Sequence, residues 1–178
     1  MQPGDPRARA IDAVDVLNDF MGDFVIGVRV FQEYAVRLRH KQIQLGQMVA
    51  VQKMCLSNIA LAFAKFEEFW QHYHDIVPVA HRGACKQIVK EIRDRKITEF
   101  RNHCVGHIWN KQKGRPVVQS EAMAALDVMV KGDFHAFLHW INDPPANTYP
   151  ATVISVIETV RDSIASEFGI TPDEAIDR

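Results

Sequence analysis

The sequence predicts an all-α protein, an antiparallel bundle of four to five main helices. Three observations favour this fold class: apolar residues recur at alternating spacings of three and four, no segment sustains the period of a strand, and Gly or Pro residues separate the periodic stretches. The 178 residues are 47% hydrophobic and 24% charged, which is ordinary globular usage. We therefore expect one helical domain over residues 1–178, with its core at about 10–168.

The first two helices are the longest. An apolar stripe over residues 14–38 predicts the first, and the same period over 45–73 predicts the second, which Pro78 stops. Gly22 and Gly27 each lower helix propensity by about 1 kcal/mol relative to Ala. Packing must therefore hold the first helix together, or a close neighbour must need the room.

The remaining elements are shorter. A third helical stretch begins near Val79, and its apolar phase slips at residues 93–96, which predicts a bend or a solvated turn there. Cations followed by Gly and Pro at 111–116 close this stretch. Ser120 is the predicted N-cap of a helix over about 121–131, and Gly132 separates it from a short helix that carries Phe134, Phe137, Leu138 and Ile141. A last long helix is predicted after Pro150, with apolar residues between Val153 and Phe168 on one face and Gly169 as its stop. A terminal turn with capping-box spacing begins at residues 171–174.

The net charge of −1 hides a partition along the chain. Residues 81–115 carry ten Lys or Arg against three Asp or Glu, whereas residues 116–178 carry three against ten. A basic segment of this size attracts phosphates, because each phosphate that it neutralises releases condensed counterions. The other interpretation is that the acidic tail folds against the basic segment.

Composition also limits the cellular setting. The three cysteines have no CxxC spacing and lie in apolar helical pattern, so we expect buried free thiols. No apolar run approaches the roughly 20 residues of a membrane-spanning helix, and no N-terminal signal is recognisable. These features favour a cytoplasmic protein that contacts no membrane.

The basic segment holds the densest group of polar side chains, at residues 100–109. Arg101 is a permanent cation with a forked donor, Asn102 is a neutral hydrogen-bonding group, and His107 can exchange protons near pH 7. These are the groups that cleave a phosphodiester without metal: a base deprotonates the 2′-hydroxyl, an acid protonates the leaving 5′-oxygen, and a cation stabilises the charge on the phosphoryl oxygens.

The spacing of Arg101 and His107 limits this site. On a straight α-helix they would point about 120° apart and lie roughly 9 Å apart along the axis. The reach of Arg101, a helix end at Gly106 or a second subunit would be needed to bring them together. His103 shares a helix face with His107 at i and i+4.

Four residues near the motif are predicted to bind substrate. They are His103, Trp109, Lys111 and Lys113. Trp109, like Phe100, could stack on bases, although both are more often plain packing residues.

Arg101, Asn102 and His107, late in a long basic helix of an all-α chain, resemble the Arg-x(4–6)-His signature of the HEPN superfamily, and most of all its abortive-infection and toxin-like members. The resemblance implies a homodimer whose two motifs line a basic cleft, and a metal-independent endoribonuclease without cofactor that leaves a 2′,3′-cyclic phosphate and a 5′-hydroxyl. Arg101 would contact the scissile phosphate, His107 would act as acid and base, and Asn102 would orient one of them. RNA is the implied substrate, and an antitoxin protein is a candidate partner of a toxin-like member.

One position departs from this pattern. Some toxin members carry a Tyr two residues beyond the His, which a partner nucleotidyltransferase modifies, and this chain has Trp109 there. Many members of the superfamily are also inactive binding modules.

Two alternatives stay open. A non-catalytic HEPN-like binding module is one. The other is a metal-dependent helical-bundle hydrolase, similar to the DinB-like proteins, because His103 with His107 and His135 with His139 have the i, i+4 spacing of zinc ligands. The chain has no His-Glu-x-x-His motif, and His139 lies beside an apolar stripe, where a hydrogen-bonded core His is expected. No metal ligand is therefore assigned.

Overall fold

The computed structural model describes residues 5–105, 109–110 and 113–175, and over these ranges the all-α prediction is confirmed. Five α-helices in this part of the chain have twelve or more residues. The α-helices are α1 Pro6–Arg39, α2 Leu45–Tyr73, α3 Arg82–Asp94, α4 Ile97–Phe100, α5 Gln119–Val130, α6 Phe134–Ile141 and α7 Val153–Phe168.

Short elements connect these helices. A π-helical turn over Arg101–Val105 follows α4 directly, and 3₁₀ turns lie at Val79–His81, Pro144–Ala146 and Asp173–Ala175. Two residue pairs, β1 Trp109–Asn110 and β2 Arg115–Pro116, form a short antiparallel hairpin in which Trp109 pairs with Pro116.

The core lies between α1, α2 and α7. α1 packs antiparallel to both of the other two helices, and α2 also packs against α3 and α4. Aromatic side chains fill the α1–α2 contact: the rings of Phe24 and Phe63 are 4.6 Å apart between centroids, and those of Phe20 and Phe66 are 5.9 Å apart. All four of these side chains are buried, so the apolar stripes of the first two helices face each other.

Gly27 marks a close approach of α1 to α2. A Cβ at Gly27 would lie 2.9 Å from Cγ1 of Ile59 and 3.3 Å from its Cδ1, whereas a Cβ at Gly22 would meet no atom within 4 Å. Ile59 is fully buried. The expectation that a close neighbour needs the room is therefore confirmed for Gly27 only.

The predicted break at residues 93–96 is confirmed. α3 ends at Asp94, and Lys96 adopts the left-handed conformation with φ 52° before α4 begins at Ile97. Ile97 and Phe100 are buried, so the change of apolar phase seen in the sequence corresponds to a change of helix.

The predicted start of α5 is wrong. The helix begins at Gln119 with Val118 as its N-cap, and the Glu121 carboxylate accepts a hydrogen bond from the Val118 N–H at 3.3 Å. Ser120 is instead inside the first turn. The end of α7 is as predicted, because Gly169 is its C-cap with φ 59°.

Among the described residues, one helix is long and apolar enough to cross a membrane, by length and composition alone. This helix is α2, in which an 18-residue stretch has a mean hydropathy of 1.2, and 44% of that stretch is buried. Leu56, Ile59 and Phe63 from this helix belong to the packed core, so burial accounts for part of its hydropathy.

The prediction of buried thiols is confirmed for Cys55 and Cys85, which are free and buried. Burial raises the pKa of Cys55, and it raises the pKa of Cys85 to about 12. Both groups are therefore neutral thiols at physiological pH. The side chain of Cys104 lies outside the described part of the chain.

Candidate active site

Arg101 is positioned by the buried end of α4. Phe100 and Ile97 anchor this short helix in the core, and the chain then widens from α-helical to π-helical hydrogen bonding over Arg101–Val105. Single π-helical turns of this kind are rare and are often found at functional sites. The Arg101 side chain consequently leaves the core at a change in helix type.

The structure brings Arg101 and Asn102 together. The Arg101 guanidinium donates a hydrogen bond from Nη1 to Oδ1 of Asn102 at 2.7 Å, and both residues are half-buried. Among the described residues, no carboxylate forms an ion pair with Arg101. The guanidinium is therefore held by a neutral partner and has further N–H donors for an anion.

Four other residues of the predicted site lie partly or wholly outside the described part of the structure. His107 and Lys111 lie outside the described residues. His103 falls within the π-helical turn, and Trp109 belongs to β1. The angle of about 120° that a straight α-helix would impose between Arg101 and His107 does not apply here, because the segment is not a continuous α-helix.

Lys113 is paired with the acidic tail. Its ammonium group and the Arg115 guanidinium both bind the Glu121 carboxylate, and the Arg115 contact is 2.8 Å long. The hydrogen bond from Lys113 and then that from Arg115 lower the pKa of Glu121 to about 2. At this point the acidic tail does fold against the basic segment, which was one of the two interpretations of the charge partition.

A polar junction that the sequence did not predict joins α2, α3 and α4. The Glu67 carboxylate of α2 accepts hydrogen bonds from Nε of Arg93 at 2.7 Å and from Oγ1 of Thr98 at 3.2 Å. Only 16% of the Glu67 side chain is exposed. Its partners are 26 and 31 residues away in sequence, and no local pattern signals such a contact.

The expectation of a core His at position 139 is wrong. His135 and His139 are both exposed, and 51% of the His139 side chain is accessible. Phe137, Leu138 and Ile141 take the buried face of α6, so the two imidazoles point away from it, and His139 Nδ1 lies 3.2 Å from the Asp143 carboxylate. Within the described ranges, no group of three or more His, Cys, Asp or Glu side chains could hold a metal ion.

His81 forms a second polar junction that the sequence did not reveal. Its Nδ1 lies 3.0 Å from the Tyr149 hydroxyl, and its Nε2 lies 3.1 Å from Oγ of Ser163. The imidazole thereby connects the start of α3, the segment before α7 and α7 itself. Ser163 lies within α7 and not at the strand-to-helix turn that exposes a nucleophilic serine. We therefore assign this junction a structural role and not a catalytic one.

Comparison with known proteins identifies a similar fold. The integron cassette protein Vpc_cass2, from the mobile metagenome of V. paracholerae, superposes with a TM-score of 0.75 at 24% sequence identity, and the match covers 89% of this chain and 96% of that protein. No protein-family model matches the chain, and no curated protein matches it. At this identity the likeness shows the fold alone, so function has to be argued from the residues of the site.

Proposed function

We propose that this protein is a metal-independent endoribonuclease of HEPN type, similar to toxin and phage-defence proteins. The observation that carries the proposal is the half-buried Arg101 guanidinium, which Asn102 holds at 2.7 Å and which no described carboxylate neutralises. A fixed cation with unused donors suits a phosphate oxygen. Four other cations of residues 81–115 differ, because each has a carboxylate partner: Arg93, Arg95, Lys113 and Arg115.

The proposed reaction is transesterification within the RNA strand. A base removes the proton of a 2′-hydroxyl, the 2′-oxygen forms a bond to phosphorus, and the bond from phosphorus to the 5′-oxygen breaks as an acid protonates that oxygen. Arg101 stabilises the negative charge on the phosphoryl oxygens, and His107 exchanges the protons. The products are a 2′,3′-cyclic phosphate and a 5′-hydroxyl, and no metal ion or cofactor takes part.

The homodimer that the HEPN resemblance implies belongs to this proposal. Two chains carry two copies of His107, enough for one base and one acid in a shared site. Sedimentation velocity tests this element, with a dimer as the expected state. A toxin-like protein would have an antitoxin protein as its partner. It would act in the cytoplasm, where its RNA substrate is.

Cleavage of RNA in EDTA tests the proposal. We expect the wild-type protein to cut RNA under these conditions, and we expect Arg101→Ala and His107→Ala to lose this activity. Arg101 contributes little to folding from its place at the surface of the bundle, so the far-ultraviolet circular dichroism of Arg101→Ala should equal that of the wild type. Arg29→Ala is the matched control, because Arg29 is an exposed cation of α1.

The outcomes of this experiment separate the alternatives. RNA binding without cleavage would identify a non-catalytic binding module. Activity that EDTA abolishes would identify the metal-dependent hydrolase. Loss of helical signal in Arg101→Ala would show that Arg101 is a structural residue.

A further inference from the structure

We propose that the exposed face of α3 guides single-stranded RNA to Arg101 by binding its phosphates. This inference rests on the proposed ribonuclease function and adds a binding surface to it. The surface, named here the α3 basic face, consists of Lys86, Lys90 and Arg93. None of these residues was assigned to substrate by the sequence.

The amphipathic pattern of α3 creates this face. Cys85, Ile88, Val89 and Ile92 are buried against the bundle. Lys86, Lys90 and Arg93 follow one another at spacings of four and three residues, which places them on one exposed side of the helix. From Lys86 to Arg93 the face is about 10 Å long, because each helical residue rises about 1.5 Å.

The charges of this face are available to a ligand. Lys86 and Lys90 are exposed and have no ion pair or hydrogen bond with another described residue. Arg93 donates to Glu67 through Nε, but 63% of its side chain remains exposed. Of the acidic residues of α3, Glu91 is bound by Arg95 and Lys131. Asp94 is exposed four residues after Lys90, at the end of the face, and no ion pair joins it to a cation of the face.

The Glu67 junction makes this face continuous with the proposed catalytic site. Oε1 of Glu67 binds Arg93 and Oε2 binds Thr98, so Arg93 and Thr98 are separated by a single carboxylate. Thr98 is three residues before Arg101, or about one helical turn. A strand whose phosphates follow Lys86, Lys90 and Arg93 therefore arrives beside Arg101.

Salt dependence of RNA binding measures these contacts. Each cation that neutralises a phosphate of a single strand adds about 0.7 to the slope of log affinity against log salt. At about 0.1 M salt one such contact corresponds to roughly fivefold in affinity, and two correspond to about 25-fold. We therefore expect Lys86→Ala/Lys90→Ala to bind about 25-fold more weakly and to lower the slope by about 1.4.

The experiment uses fluorescence anisotropy with a labelled single-stranded RNA that is 2′-O-methylated and cannot be cleaved. Arg29→Ala/Lys53→Ala is the matched control, since it also removes two exposed cations without an ion pair to another described residue, from α1 and α2. The control should keep an affinity close to that of the wild type. Circular dichroism verifies that both variants are folded.

Three results would overturn the inference. If both double variants lose the same affinity, the effect comes from net charge and not from the α3 basic face. If Lys86→Ala/Lys90→Ala binds like the wild type while the wild type still cleaves unmodified RNA in EDTA, the guiding surface is wrong and the ribonuclease proposal stands. Absence of both binding and cleavage in the wild type would refute the two proposals together.

Discussion

Two substitutions in α1 test the account of how the bundle packs. Gly22→Ala and Gly27→Ala make the same chemical change in the same helix, five residues apart. Ala is favoured over Gly in a helix by about 1 kcal/mol, so propensity alone predicts equal stabilisation at both positions. The surroundings differ, because a Cβ at Gly22 enters open space and a Cβ at Gly27 lies 2.9 Å from Cγ1 of Ile59.

The expected free energies follow from that distance. Gly22→Ala should raise the free energy of unfolding by about 1 kcal/mol. At Gly27 the contact is with the middle of a fully buried side chain, so Ile59 cannot swing its end away and the helices must separate slightly. Such overpacking costs about 1–3 kcal/mol, which outweighs or cancels the gain in propensity. We expect Gly27→Ala to lower the free energy of unfolding by about 0–2 kcal/mol.

Urea unfolding followed by circular dichroism at 222 nm measures both values. Thermal melts should agree, with the midpoint shifting by about 2–4 °C for each kcal/mol in a chain of this size. Equal stabilisation by the two substitutions would refute the close packing of α1 on α2 at Gly27. Destabilisation by Gly22→Ala would contradict the open space around Gly22.

Two further predictions concern titratable groups. Lys113 and Arg115 lower the pKa of Glu121 from 4.5 to about 2, so the ionised carboxylate stabilises the fold above pH 4.5 and this contribution is lost as the pH falls towards 2. Glu121→Gln should therefore lose less stability between pH 5 and pH 3 than the wild type. Parallel profiles of stability against pH for the two proteins would contradict the pairing. Burial raises the pKa of Cys85 to about 12 and also raises that of Cys55. Iodoacetamide at pH 8 should therefore leave both thiols unmodified in the folded protein and alkylate them in urea, which peptide mass mapping measures. Rapid labelling of Cys85 in the folded protein would contradict its burial.

The sequence predicts the helices well, but it does not predict how far their partners cover them. The stripe over residues 14–38 identifies the apolar face of α1, and Val14, Leu17, Phe24 and Val28 on it are buried. Beyond Val28 no residue of α1 is buried, although the stripe continues. Periodicity reports which side of a helix is apolar, whereas burial depends on the length and position of the neighbouring helices.

The candidate site shows the same division. The contact between Arg101 and Asn102 is local and could be anticipated from adjacent residues. The Glu67 junction and the pairing of Lys113 with Glu121 depend on tertiary contacts or on the turn between β1 and β2, and charge counts along the chain do not locate them. The apolar neighbour Trp140 suggests a core position for His139, whereas the helical period places His139 itself on the outer face of α6.

The central claim of the proposed function is that the 2′-oxygen of the RNA attacks the phosphorus atom. The direct measurement is to digest an RNA in EDTA, identify the cleaved bond and its end groups by mass spectrometry, and repeat the digestion with a 2′-deoxynucleotide on the 5′ side of that bond. The account predicts a 2′,3′-cyclic phosphate and a 5′-hydroxyl in the first digestion and an uncut bond in the second. Cleavage of the deoxy-substituted bond, or products with a 5′-phosphate, would contradict it.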